Sequence, residues 1–202
     1  MAYTAEEEQE IEDIKSWWHE NYKVIIAALV LGFGGAWGWH YWQGYQVTQT
    51  HKASSEYEQI VMIQDATQRD SRLAEFVKNN DKTTYAVFAL LDQAKDAVAT
   101  KDFATAENAL KQATAQAQDD VLLSVSALRL ASVQYQQKQY DAALDSLKLV
   151  KNSSWDNQKS ILTGDIQFTK GDNAAAKASY EQALVKATPV EQQWLQLRLN
   201  NL

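Results

Sequence analysis

The sequence predicts an all-α protein: a single membrane-length helix near the amino terminus, followed by a solenoid of paired helices. Three observations carry this reading. Residues 24–42, VIIAALVLGFGGAWGWHYW, contain no Asp, Glu, Lys or Arg. From Lys82 onward the chain is rich in Ala, Leu, Gln and Lys, with a single Pro at 189, and gives no support for strands. Within that region one phrase recurs, as KDFATAENALKQA at 101–113, KQYDAALDSLKLV at 138–150 and KGDNAAAKASYEQAL at 170–184.

The first 22 residues form an acidic tail. Residues 1–23 hold seven acids and two bases, whereas residues 43–202 hold nineteen and seventeen, so most of the net charge of −7 lies before the apolar run. A charged run of this kind is expected to be solvated, with disorder giving way to a short helix in which Ile11, Ile14, Trp17 and Trp18 share a face.

Residues 23–42 are the expected membrane segment. The nineteen uncharged residues 24–42 rise roughly 28 Å as a helix at about 1.5 Å each, close to the roughly 30 Å hydrocarbon core of a bilayer. Trp17, Trp18 and Tyr22 precede the run, and Trp37, Trp39, Tyr41, Trp42 and Tyr45 mark its far end, as interfacial aromatics do. A buried core helix is the alternative, but it would not need so many Trp and Tyr at its two ends. The acidic lead-in and bulky exit do not suit a cleaved signal peptide, so the segment reads as an uncleaved anchor. Lys15 and Lys23 on the amino side, against Lys52 beyond the other, place the tail in the cytoplasm by the positive-inside rule. Inside the span, Gly34 and Gly38 form one small-xxx-small pair, and Ala28, Gly32 and Ala36 form another series at the same spacing. Such residues let a second helix approach closely in lipid, although glycine is also simply frequent in spans.

Residues 43–81 read as connecting helices. Tyr57, Ile60, Val61 and Ile63 continue a helical period out of the span, and a second short helix is expected over Ser71–Lys78, ending near Asn79 and Asn80.

Residues 82–202 read as the repeat domain. Aligning the three phrases superposes Ala106, Ala143 and Ala176, then Leu110, Leu147 and Tyr180, then Ala113, Val150 and Ala183. The intervals of 37 and 33 residues bracket the 34 of a tetratricopeptide repeat. A small residue at a helix crossing lets the backbones approach, and a large apolar one a turn later fills the groove against the next pair. Thr188-Pro189-Val190-Glu191 predicts an N-cap, a Pro at the first helical position and a capping-box Glu. The last helix would then close the open end of the stack.

These features exclude several functions. The nearly neutral repeat domain has no electrostatic footprint for nucleic acid. Cysteine is absent, and His19, His40 and His51 all lie in or beside the span, where they read as interfacial residues rather than metal ligands. The repeats show no glycine-rich phosphate loop and no clustered acids, so no catalytic, cofactor-binding or metal residue is expected. Asp119 and Asp120 are instead expected to charge the start of a helix near Val121. A short solenoid is naturally a protein-binding scaffold. Registering the repeats puts Phe88, Leu91, Val125, Leu128, Tyr135, Ile161 and Phe168 toward the concave face, as candidate groove residues or as plain core. A clamp on a partner's terminal carboxylate, built from Lys and Asn, is not expected, since Lys95 is the only candidate in this groove.

The whole arrangement resembles a known family: the acidic tail, the span after Lys23, then Thr84-Tyr85, Leu128-Arg129-Leu130-Ala131, Trp155, Gly164-Asp165, Gly171-Asp172 and the closing Leu199-Asn200-Asn201-Leu202. It is similar to the YfgM family of ancillary subunits of the bacterial SecYEG translocon. The resemblance implies a single-pass inner-membrane protein, without cofactor, whose periplasmic repeats work beside the SecYEG translocon and the membrane-anchored chaperone PpiD, near unfolded envelope proteins. A regulator whose acidic tail holds a stress-response signalling protein on the cytoplasmic side is the alternative.

Overall fold

The computed structural model describes the backbone of residues 5–202 and the side chains of residues 9–202. The first four residues of the acidic tail, and the expectation of disorder that falls on them, lie outside the described residues. The chain divides into two compact units, Met1–His51 and Lys52–Leu202.

The first unit is part of one helix. Helix α1, Ala5–Val61, runs unbroken through residues 22–23 and 42–43. Those two positions therefore mark changes of side-chain chemistry and not of backbone. The short helix expected after a disordered start is instead the first stretch of α1, because no Pro interrupts the chain and four glycines in seven residues, Gly32 to Gly38, do not break it. In this unit Leu29, Val30, Leu31, Phe33, Trp37 and Tyr41 all stand exposed. Trp39 and Trp42 lie 5.3 Å apart between ring centroids, and Trp37 stacks on Tyr41 at 6.5 Å. Among the described residues, this is the one helix long and apolar enough to cross a membrane, and none of its apolar window is buried.

The second unit is built from helices packed in chain order. The end of α1 is followed by α2, Ala66–Asn79, which starts five residues before the expected Ser71 because Asp65 caps it, accepting from the Gln68 N–H at 2.8 Å. Three helix pairs follow: α3, Thr84–Ala99, with α4, Phe103–Gln116; α5, Asp120–Gln136, with α6, Tyr140–Leu147; and α7, Asp156–Thr169, with α8, Asn173–Leu184. Helix α9, Pro189–Asn200, packs on α8.

The three aligned phrases are the second helices of the three pairs. Ala106, Ala143 and Ala176 are each fully buried, and Leu110, Leu147 and Tyr180 are buried one turn later. The turns before these helices also match. Lys101, Lys138 and Gly171 each adopt a left-handed backbone, with φ of 64°, 61° and 84°. The next N–H in each turn reaches back to the preceding helix: Asp102 to the Ala97 carbonyl, Gln139 to Gln134 and Asp172 to Gln167, at 2.8 to 3.0 Å. This is the Schellman closure, which satisfies carbonyls that the helix end would leave open.

Helix α6 is the irregular member. After Leu147 the chain tightens, with the N–H groups of Lys148, Leu149 and Val150 each bonding three residues back, and Val150 is buried from outside the helix. A 3₁₀ turn, Ser153–Trp155, then leads into α7.

Two polar groups stitch the stack. The Glu107 carboxylate of α4 is buried and receives four donors. Gln134 (3.3 Å) and Lys111 (2.8 Å) reach one oxygen, and Gln137 (2.8 Å) and Gln139 (3.2 Å) reach the other. In the last pair the Asp165 carboxylate accepts from the Tyr180 hydroxyl at 2.8 Å and from Arg198 of α9 at 2.8 and 3.3 Å. The capping box at Thr188 and Glu191 is present, and it aims α9 so that Leu195 enters the core with Ala176, Tyr180 and Ala183. Trp194 and Leu197 of the same helix stand exposed.

Candidate functional site

Helices α3 and α5 are the first members of the first two pairs, and they face each other across α4. The Thr83 hydroxyl accepts from the Ala86 N–H at the start of α3, and the Asp119 carboxylate accepts from Val121 and Leu122 at the start of α5. Asp120 adds a charge in the first turn of α5, where the helix dipole favours it. Small residues on α3, with Ala86, Ala89, Ala94 and Ala97 all buried, let the neighbouring helices approach.

Between these helices lies an open cleft of about 360 Å³. Leu91, Ala94, Lys95 and Val98 of α3 form one wall, and Arg129, Ser132, Val133 and Gln136 of α5 form the other. Phe103 and Leu110 of α4 close the floor. Leu91, Ala94, Leu110 and Val133 are buried, while Val98 is exposed at the rim. The lining includes two cations and no acid. The nearest acids on α3 are engaged elsewhere: Asp92 accepts the Tyr57 hydroxyl, and Asp96 pairs with Arg69 at 2.6 Å. Among the described residues, neither Lys95 nor Arg129 is within ion-pair distance of a carboxylate.

Of the seven groove residues named from sequence, only Leu91 lines this cleft. Phe88 lies a turn earlier on α3, half-buried beneath Tyr57 and Tyr85, with ring centroids 6.4 and 5.9 Å away. Val125 is half-buried against the same core cluster. Leu128 and Tyr135 pack on the second cluster, with the Tyr135 hydroxyl 2.9 Å from the Thr169 hydroxyl, and Ile161 packs on the third. Phe168 stands exposed on α7. Sequence reasoning weighed Lys95 alone and did not join it to Arg129. The available signal was helical spacing, since Val125, Arg129 and Ser132 fall on one face of α5.

In the apolar stretch, Ala28, Gly32, Gly34, Ala36 and Gly38 are all exposed, and a Cβ added at Gly32, Gly34 or Gly38 would meet nothing within 4 Å. At about 100° per residue, the Ala28, Gly32 and Ala36 series and the Gly34 and Gly38 pair lie on nearly opposite faces of the helix. The structure therefore does not gather the five residues into one surface.

Comparison with known proteins agrees with this architecture. Residues 15–202 match the model of a tetratricopeptide repeat-like domain. A protein of Aggregatibacter actinomycetemcomitans described as an ancillary SecYEG translocon subunit is 57% identical over the full length of both chains. Proteins of the same description from Haemophilus influenzae and Escherichia coli are 50% and 33% identical, covering all of this chain and 100% and 99% of their own. A membrane-length exposed helix, three helix pairs in repeat register and identity running the whole length of these relatives lead to one conclusion: the chain belongs to the family of ancillary SecYEG translocon subunits, with a tetratricopeptide repeat-like domain.

Proposed function

We propose that this protein is a non-enzymatic scaffold at the SecYEG translocon, anchored in the bacterial inner membrane by the segment at residues 23–42. Residues 1–22 form its cytoplasmic tail, residues 43–81 connect anchor to repeats, and residues 82–202 are the repeat domain on the periplasmic side. There the repeats hold proteins beside the translocon and assist the chaperone PpiD with newly translocated envelope proteins. The observation that carries this reading is the full-length identity to relatives named as ancillary SecYEG translocon subunits, which takes in the apolar helix as well as the repeats. The exposure of every large apolar side chain from Leu29 to Trp42 supports it, since a surface of that kind is stable in lipid and costly in water.

In this reading the concave face, which includes Leu91 and the partly exposed Phe88, Val125, Leu128, Tyr135, Ile161 and Phe168, receives partners. The small residues of the span pack against another membrane helix. Extraction in mild detergent with an affinity tag on the full chain, followed by crosslinking, tests the proposal. Translocon and chaperone subunits should be recovered in defined amounts; their absence from a well-expressed, folded preparation would contradict it.

A further inference from the structure

The cleft between α3 and α5 has a chemistry more specific than that of a general apolar groove. Phe103 and Leu110 make its floor apolar, Leu91 and Val133 add apolar surface on the two walls, and each wall carries one cation, Lys95 on α3 and Arg129 on α5. On a helix surface an acid three or four residues away can pair with such a cation. Here Asp92 and Asp96, which flank Lys95 in sequence, are turned to Tyr57 and Arg69. Arg129 has no acid at three or four residues on either side, since Ser126, Val125, Ser132 and Val133 occupy those positions. Two cations are thus left with their charge directed at the cleft, in a protein whose net charge is −7.

An apolar cleft edged by charge of one sign is complementary to an apolar group edged by charge of the other. We infer that this cleft binds a segment of a partner protein in which an apolar side chain is flanked by Asp or Glu. The apolar side chain fills the space over Phe103 and Leu110, and the flanking carboxylates meet Lys95 on one wall and Arg129 on the other. The guanidinium of Arg129 can take a carboxylate through two parallel N–H donors, whereas Lys95 acts as a movable point charge. The Gln136 amide, and the Ser132 hydroxyl, which donates to the Leu128 carbonyl at 2.9 Å and keeps its acceptor, supply neutral hydrogen-bonding groups beside Arg129 for the backbone of the segment. The inference rests on the reading of the concave face as a protein-binding surface, and it names what that surface selects.

The test uses the full chain in detergent micelles and a fluorescein-labelled ten-residue peptide, amidated at its carboxy terminus, with one Leu between two Glu on either side. Saturable binding by fluorescence anisotropy is expected, weakening as salt is raised. Peptides with Gln for every Glu, or Ser for Leu, should bind at least about tenfold more weakly. Lys95→Gln and Arg129→Gln should each cost about tenfold, and the double variant should lose binding while keeping its helical spectrum and melting temperature, because both side chains are exposed. Equal binding by the double variant would overturn the inference, as would equal binding of the Gln peptide. So would tighter binding of a Gln peptide ending in a free carboxylate, because the cleft would then hold a chain terminus. Co-purification of translocon subunits with the same preparation separates the two ideas. Recovery of subunits without peptide discrimination defeats this inference and leaves the scaffold, whereas peptide discrimination without any subunit defeats the scaffold and leaves the cleft.

Discussion

The ring of Tyr180 on α8 lies against the backbone of Gly164 on α7, so close that a Cβ on Gly164 would stand 2.4 Å from one ring carbon and 2.6 Å from the next. The ring cannot swing aside, since Tyr180 is 1% exposed and its hydroxyl donates to Asp165, which Arg198 also holds. Gly164→Ala gains about 1 kcal/mol of helix propensity but overpacks this contact, at a cost of about 1–3 kcal/mol. With three ring atoms within 3.0 Å, the cost wins. Thermal unfolding of the full chain in detergent should show a lower midpoint for the variant; an unchanged or raised midpoint would mean that α7 and α8 do not meet there.

Lys138 sits at φ 61° in the turn where the third repeat has Gly171 at 84°. A lysine in the left-handed region is strained by about 1 kcal/mol, and glycine is not. Lys138→Gly should therefore stabilise the second pair by up to about 1 kcal/mol, and Gly171→Ala should destabilise the third by a similar amount. Opposite signs in chemical denaturation would check both.

Much of the repeat domain was legible because its signals are local. The Ala and Leu phrases marked the three second helices, and the run from Thr188 to Glu191 marked the last one. What escaped was set by tertiary contact. Nothing in the local pattern says that α6 stops at Leu147 while Val150 still reaches the core. Likewise, Gln134 bonds Ser146 at 2.7 Å, and Gln167 bonds Ser179 at 2.7 Å twelve residues on in the same way. In the first pair the equivalent positions are the buried alanines Ala97 and Ala109. Replacing both partners by apolar groups removes the bond without stranding either one, so the first repeat tolerates their loss. The candidate groove was legible only as a set of first-helix positions. Its division into separate clusters, and the meeting of Lys95 with Arg129, depend on how α3 and α5 flank α4.

Glu107 makes the stack sensitive to acid. Burial alone would raise its pKa, but the donors from Lys111, Gln134 and Gln137 outweigh that and hold the carboxyl below its ordinary value. A lowered pKa in the folded state contributes stability that is present above the unfolded value, 4.5, and is lost as pH falls through the folded one. The melting midpoint should hold above about pH 5 and drop below it. Glu107→Gln turns one acceptor into a donor facing Gln137 and Gln139, so it should lower stability near neutrality by about 1–3 kcal/mol. It should also shrink the acid-side drop. A variant whose acid limb parallels that of the wild type would assign that limb to other carboxylates.

Gly34 and Gly38 are open on one face of the apolar helix. Replacing both with Leu keeps the segment favourable for insertion and leaves the repeats untouched, yet removes a surface on which another helix could close. Recovery of co-purified membrane partners should fall, with expression and melting unchanged. Full recovery would place the contact on the opposite face, with Gly32, or in the repeats.

The most direct measurement is topology. Because the chain has no cysteine, single cysteines at Ala5, Ser55 and Lys186 report without background. In intact spheroplasts, a membrane-impermeant thiol reagent should label the cysteines at 55 and 186 and spare the one at 5, which should react only after the membrane is opened. Labelling at 5 with protection at 55 and 186 would put the repeats in the cytoplasm and contradict a scaffold acting on proteins that have crossed the membrane.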